Sequence, residues 1–250
     1  MEYFQLSDIG KSRTANEDSF GSAFSKDGKV HFFIVADGMG GYLAGDVASS
    51  MATDLFLQAA AAYEHRDEES LYSFLLEAVG KIDSAIAEKA HTSSSCSDMG
   101  TTAVIYAAAG EYGLFCNVGD SRGYLMRNGR LIQVTKDHSL IQSMMDEGYI
   151  FKSEEDKVPF RHAITRALGY MGRAKGGEVC DVYKIEPQEE DVILLCSDGL
   201  TSMLDDGQIF SAMNSSCFSV EFVCKKLIEE ANLRGGLDNI TVSVIRYGGI

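Results

Sequence analysis

Tight turns between short apolar stretches limit this chain to a layered, largely antiparallel fold. Residues 19–24 and 30–36 flank Lys26-Asp27-Gly28-Lys29, residues 123–127 and 131–134 flank Asn128-Gly129, and both read as hairpins. Further strands are expected at 3–7, 101–108, 112–118, 178–185, 191–196 and 240–245. Roughly ten strands are too many for one open antiparallel layer. Leu71, Phe74, Leu75, Ala78, Val79, Ile82 and Ile86 recur at helical spacing, as do Val220, Val223, Leu227 and Ala231, so each stretch has one apolar stripe to bury. Another helix is expected over 45–61, and a short one at Ser139, where Ser139 and Gln142 have the spacing of a capping box. Strands in runs with helices between them suggest α+β layers, with helices packed outside a two-sheet sandwich.

No repeat, low-complexity segment or proline-rich linker interrupts the 250 residues, whose only prolines are Pro159 and Pro187. One domain spanning 1–250 is therefore expected, with a flap at about 140–163. Within it residues 148–162 lose periodicity and carry the charged run 152–157 flanked by aromatics, the pattern of a mobile surface segment. Lys and Arg number 22 against 37 Asp and Glu, a net charge of −15, which disfavours binding to a phosphate backbone and makes nucleic acid a poor partner. Apolar runs such as 103–109 fall far short of the roughly 18 to 20 residues of a membrane span. The first ten residues show neither a basic start nor an apolar core. A cytoplasmic protein with no membrane insertion is expected. The six cysteines form no CxxC pair and have no histidine at zinc-ligand spacing, so they read as buried free thiols.

Four aspartates occupy one kind of position, the end of a strongly apolar strand: Asp37 after 32–36, Asp120 after 115–118, Asp198 after 192–196, and Asp238 just before 240–245. Glu17 and Asp18 precede another strand. If these strands share a sandwich, the ends can converge on one rim, where carboxylates about 5 Å apart would repel by roughly 3 kcal/mol per pair at an effective dielectric near 20. Cations then belong among them, and an all-oxygen donor set selects Mg²⁺ or Mn²⁺ over Zn²⁺. Asp-Gly is also a common turn, so any one of these residues taken alone reads more simply as turn chemistry.

Each aspartate, however, sits inside a longer phrase. Gly10-Lys11-Ser12-Arg13-Thr14-Ala15-Asn16-Glu17-Asp18, Val35-Ala36-Asp37-Gly38-Met39-Gly40-Gly41, Gly100-Thr101-Thr102, Asn117-Val118-Gly119-Asp120-Ser121-Arg122, Asp137-His138-Ser139, Thr165-Arg166-Ala167-Leu168-Gly169, Ser197-Asp198-Gly199 and Asp238-Asn239-Ile240-Thr241 follow in this order. Together they resemble the metal-dependent protein phosphatases, the type 2C Ser/Thr family, and its compact bacterial branch. The resemblance implies an αββα sandwich and hydrolysis of phosphoserine and phosphothreonine in proteins by a hydroxide bridging two metal ions. It also implies a Ser/Thr protein kinase as functional antagonist and a monomeric enzyme. It places the bridging ligand on Asp37, a backbone carbonyl ligand on Gly38, further carboxylate ligands on Asp198 and Asp238, and the acidic pair that holds metal-bound water on Glu17 and Asp18. Two Mn²⁺ or Mg²⁺ ions are implied, with a weaker third at Asp120 and Asp198. Arg13 matches the phosphate-holding arginine, whose planar fork suits two oxygens. Mammalian-type members carry a histidine two residues after the bridging aspartate as a candidate acid, and this chain has Met39 there, which leaves the general acid open.

Two other readings compete. Cys116 and Arg122 bracket five residues, the spacing of a cysteine-dependent phosphatase loop, although Asp120 would put an anion inside that cradle. A non-catalytic, metal-stabilised phosphoprotein-binding module would keep the same ligands without turnover. His138, beside the Ser139 cap, reads as a local hydrogen-bond partner rather than a catalytic base, and His31, His65, His91 and His162 stand in no constellation.

Overall fold

The structure, a computed structural model, describes residues 1–40, 44–151, 163–169, 179–214 and 219–248. In chain order its strands are β1 (Glu2–Asp8), β2 (Asp18–Phe24), β3 (His31–Met39), β4 (Gly100–Thr101), β5 (Ala103–Ala109), β6 (Tyr112–Val118), β7 (Arg122–Arg127), β8 (Arg130–Gln133), β9 (Asp181–Ile185), β10 (Val192–Cys196) and β11 (Ile240–Arg246). The helices are α1 (Ala44–Ala62), α2 (Glu68–Thr92), α3 (Leu140–Asp146), α4 (Asp198–Thr201), α5 (Asp206–Met213) and α6 (Val220–Leu233). One sheet runs β1-β11-β10-β7-β8, the other β2-β3-β5-β6-β9 with β4 paired to β3, and every pairing is antiparallel.

The period of two along the strands builds the layers. In β3, Phe32, Ile34 and Ala36 join an apolar cluster with Phe56 of α1 and Leu71 and Leu75 of α2. The alternate residues Phe33 and Val35 face the other sheet, where they share a cluster with Ile193 and Leu195 of β10. Val192, Leu194 and Cys196 point the opposite way, onto α4, α5 and α6 through Leu200, Ile209 and Leu227. Three apolar seams thus separate four layers, and the result is the αββα sandwich that the family resemblance implied. Among the described residues no helix is long and apolar enough to cross a membrane.

The two hairpin turns form as expected, with Asn128 and Gly129 both at positive φ (51° and 69°), as a primed two-residue turn requires. The differences are local. The strand expected over 101–108 is divided by Thr102 into β4 and β5, because Gly38 and Met39 prolong β3 and take β4 as their partner. Asp37 therefore lies within β3 rather than beyond its end, and Asp198 opens α4 rather than trailing β10. Neither α4 nor α5 was expected, since four and eight residues are too short to display an apolar stripe. At Ser139 only one arm of the capping box forms: its Oγ accepts the Gln142 N–H at 3.3 Å, while the Gln142 amide turns to Asp146 at 2.9 Å. Residues 152–162, most of the expected mobile segment, lie outside the described residues. The described stretch before them ends with Tyr149 and Phe151 exposed.

Pairing register lines up the ends of six strands at one end of the sandwich. Asp18 opposes Asp37 across β2 and β3, Cys196 opposes both Arg122 and Val242, and Asp8 opposes Ile240. The approach of α1 to this end depends on Gly38, where a Cβ would run into the Gly45 carbonyl oxygen and come within 2.6 Å of the Glu17 carbonyl oxygen. Gly38→Ala should thus cost about 1–3 kcal/mol of stability through overpacking. Urea unfolding in excess chelator checks this without any contribution from metal, and a variant as stable as its parent would contradict the close approach.

Candidate active site

Each carboxylate at this rim is placed by backbone that other residues hold. The Asp37 N–H donates to Thr102 Oγ1 at 3.0 Å, and the Asp37 carbonyl accepts from the Thr102 N–H and from Thr101 Oγ1, both at 2.9 Å. Glu17 is fixed through its carbonyl, which accepts Ser49 Oγ at 2.6 Å and the Gly38 N–H at 3.1 Å. Ser197, fully buried, donates its hydroxyl to Asp18 Oδ2 at 2.8 Å and accepts the Thr241 N–H at 2.9 Å, so it joins the two sheets at the rim. Asn239 does the same for the loop after β1: its Oδ1 accepts the Glu17 N–H at 2.8 Å, and its Nδ2 donates to the carbonyls of Ile9 at 3.0 Å and Ala15 at 2.9 Å. Thr102, Ser197 and Asn239 stood in the sequence phrases without a role. Their only signal was a polar residue beside an apolar run, and their burial is what gives them this work.

Crowding governs the electrostatics. Burial, followed by the charges of Asp198 and Asp238, pushes the Asp18 carboxyl up to about 7. Burial, then Asp198 and Asp137, does the same for Asp120, also to about 7. Asp37 rises well above the usual carboxylate range through burial, Asp18, Asp198 and Asp120. Asp120 Oδ1 is buried without a hydrogen-bond partner. Among the described residues no three His, Cys, Asp or Glu side chains close into a cage, although Asp37 and Asp198 come close enough to share a hydrogen bond. An all-oxygen donor set, mutual repulsion and an orphaned carboxylate oxygen are what a hard divalent cation would satisfy, and the residues present fit such an ion. Arg13 provides positive charge here: its Nη2 donates to Asp238 Oδ2 at 2.7 Å and its Nη1 lies 4.0 Å from Glu17.

The competing thiol site does not assemble. Cys116 is fully buried toward α1 and α2, its thiol pushed far up by Cys180 and by burial, while Arg122 is committed to Asp137 through contacts of 2.7 and 3.0 Å. The cysteines at 96, 116, 180, 196 and 224 are all buried and free, and Cys217 lies outside the described residues. Met39, the last residue of β3, pairs with Gly100. His138 is buried and hydrogen-bonded on both ring nitrogens, to the Gly119 N–H and to Asp181.

Residues 5–240 match the family described as protein phosphatase 2C. The serine/threonine phosphatase Stp of Listeria welshimeri is 36% identical over 239 residues, which cover 95% of this chain and 92% of that protein. The solved serine/threonine phosphatase of S. agalactiae superposes with a TM-score of 0.91 at 32% identity, over 99% of both chains. The catalytic domain of the phosphatase PstP, solved with two manganese ions, superposes with a TM-score of 0.82 at 35% identity, over 97% of this chain and 96% of that one.

Carboxyls whose acidity is suppressed in the folded chain lose stability as pH climbs from the carboxylate range toward 7, because the unfolded state ionises first. Cation binding requires the ionised forms and so releases those protons. The rise in melting temperature on adding Mn²⁺ should therefore be larger near about pH 7.5 than near about pH 5.5. Thermal melts with and without the ion check it, and an equal rise at both would mean the carboxylates do not share the cation.

Proposed function

The chain belongs to the protein phosphatase 2C family, and from that premise we propose that it is a bacterial-type, metal-dependent Ser/Thr protein phosphatase whose rim of carboxylates is the catalytic centre. The observation that carries this reading is the convergence of Asp18, Asp37, Asp120, Asp198 and Asp238, from five separate segments, on one end of both sheets. Asp37, the Gly38 carbonyl, Asp198 and Asp238 would hold two Mn²⁺ or Mg²⁺ ions, and Glu17 and Asp18 would take hydrogen bonds from the water around them. When bound, the ions cancel the carboxylates' repulsion and supply acidified water for in-line attack on phosphorus. Asp120 and Asp198 would hold a third, weaker ion.

The chain's own residues do the rest. Arg13 reaches Asp238 through Nη2 and retains further N–H donors for two phosphate oxygens of the substrate. A serine or threonine alkoxide needs a proton as it leaves. Met39 has none to give, and the ring nitrogens of His138 are occupied elsewhere. We assign to Asp120 the placing of the proton source. The substrates are phosphoproteins, the functional antagonist a Ser/Thr kinase, and the setting the cytoplasm, with residues 1–250 working as one monomeric catalytic domain.

Chelation should abolish turnover of a phosphoserine peptide, and so should Asp37→Ala, Asp198→Ala or Asp238→Ala, whereas Cys116→Ser should keep most of it. Steady hydrolysis in excess chelator would sink the reading, and metal binding without any turnover would favour the non-catalytic module. Arg13→Ala should raise KM, and kcat should fall further if its grip tightens as charge develops. Asp120→Ala should lower kcat less for p-nitrophenyl phosphate, whose leaving group needs no proton, than for the phosphoserine peptide. Equal losses on both substrates would remove Asp120 from proton delivery.

A further inference from the structure

Asp120 has a buried carboxylate oxygen with no hydrogen-bond partner, so its aim depends on the turn that carries it. That turn is held on both sides. After it, Ser121 Oγ lies 2.7 Å from Thr102 Oγ1, the hydroxyl that also accepts the Asp37 N–H. Before it, Gly119 stands at φ +97°, and a Cβ there would press on Thr102 at 2.6 Å. Gly119 exchanges two hydrogen bonds with His138: its carbonyl accepts the His138 N–H at 2.9 Å, and its N–H donates to His138 Nδ1 at 3.1 Å. With Nδ1 an acceptor, the ring proton sits on Nε2 and points at Asp181 Oδ2, 3.1 Å away, while Arg166 holds the other Asp181 oxygen at 2.8 Å. The His138 carbonyl in turn accepts the Thr165 N–H at 2.7 Å, next to the antiparallel bridge between Ser139 and Ile164.

We propose that His138 is a positioning residue for Asp120, with its Nδ1 fixing the Gly119–Asp120 turn and its backbone tying that turn to the chain returning at Ile164 and Thr165. The inference rests on the assignment of Asp120 to the weaker ion. A group one bond-shell behind a ligand commonly controls metal affinity or activity by about 10- to 100-fold, which sets the scale of the expected effect. Its two ring nitrogens can be tested separately. Asparagine places its amide oxygen where Nδ1 stands, and glutamine places its amide where Nε2 stands.

The test is Mn²⁺ titration of the metal-free chain by calorimetry, together with kcat and KM for a phosphoserine peptide, in the parent, His138→Asn, His138→Gln, His138→Ala and Asp120→Ala. His138→Asn should keep the weakest Mn²⁺ and most of kcat. His138→Gln and His138→Ala should weaken that ion and lower kcat by about 10- to 100-fold, with KM and the tighter ions unchanged. If His138→Ala retains the weakest ion while Asp120→Ala loses it, the positioning role is wrong and the Asp120 assignment stands. If Asp120→Ala retains every ion, the assignment itself is wrong and the inference falls with it. If the asparagine and glutamine variants lose the ion alike, in step with their melting temperatures, His138 only stabilises the fold and the proposal is overturned.

Discussion

Asp18 and Asp37 stand opposite one another across a β-ladder, a placement in which like charges destabilise a sheet. Asp198 and Asp120 add to the same repulsion. Left to itself such a rim would spread, and the rest of the molecule can be understood as what prevents it. Phe33 and Val35 packed on Ile193 and Leu195 hold the sheets at a fixed separation, and the dense packing of such an interior lets neither sheet slide to relieve the crowd. Ser197 and Asn239, buried and satisfied, then lock the loops of one sheet to the other across the mouth of the seam.

Chemistry follows from where that repulsion is concentrated. The helices pack on the outer faces, and α1 and α4 start at the end of the seam that carries the carboxylates, through Gly45 against Gly38 and through Asp198. Hard cations suit an all-oxygen donor set, and the phosphatase family to which the chain belongs includes a relative solved with two manganese ions. Arg13 contributes positive charge to this rim, as Arg122 does beside Asp120, and its contact with Asp238 keeps the loop after β1 close to the start of β11. The described thiols lie in the apolar layers, where burial pushes Cys196 up to about 12 and the neighbouring Cys180, with burial, pushes Cys116 well above the usual thiol range.

Much of this was legible in the residues, and the exceptions share a cause. Asp27-Gly28 and Asn128-Gly129 announced their hairpins because positive φ is a local demand that only a few residue types meet. The stripes of α2 and α6 announced helices because they run long enough for a period to be counted. α4, α5 and β4 went unannounced: each is short, and each exists because a longer neighbour supplies its partner. Asp205 and Gln208 did carry a complete capping box ahead of α5, with both arms made at 2.8 and 2.9 Å, so that start could have been read. At Ser139 the same spacing marked the start of α3 correctly, although only the Ser139 arm formed, since the Gln142 amide found Asp146 on its own helix.

Alternation, turn chemistry and residue type act over a few residues at a time, so the hairpins, the striped helices and the order of the aspartate-bearing phrases were readable in the chain alone, while the αββα layering came through the family those phrases resemble. Tertiary structure alone decided which of those residues meet. Arg13 finds Asp238, Ser197 finds Asp18, and Gly119 finds His138, through distances of 2.7, 2.8 and 3.1 Å between residues far apart in the chain. No local pattern encodes such pairs. They are selected when two sheets pack face to face and every buried polar group must find a partner in whatever the packing has brought near.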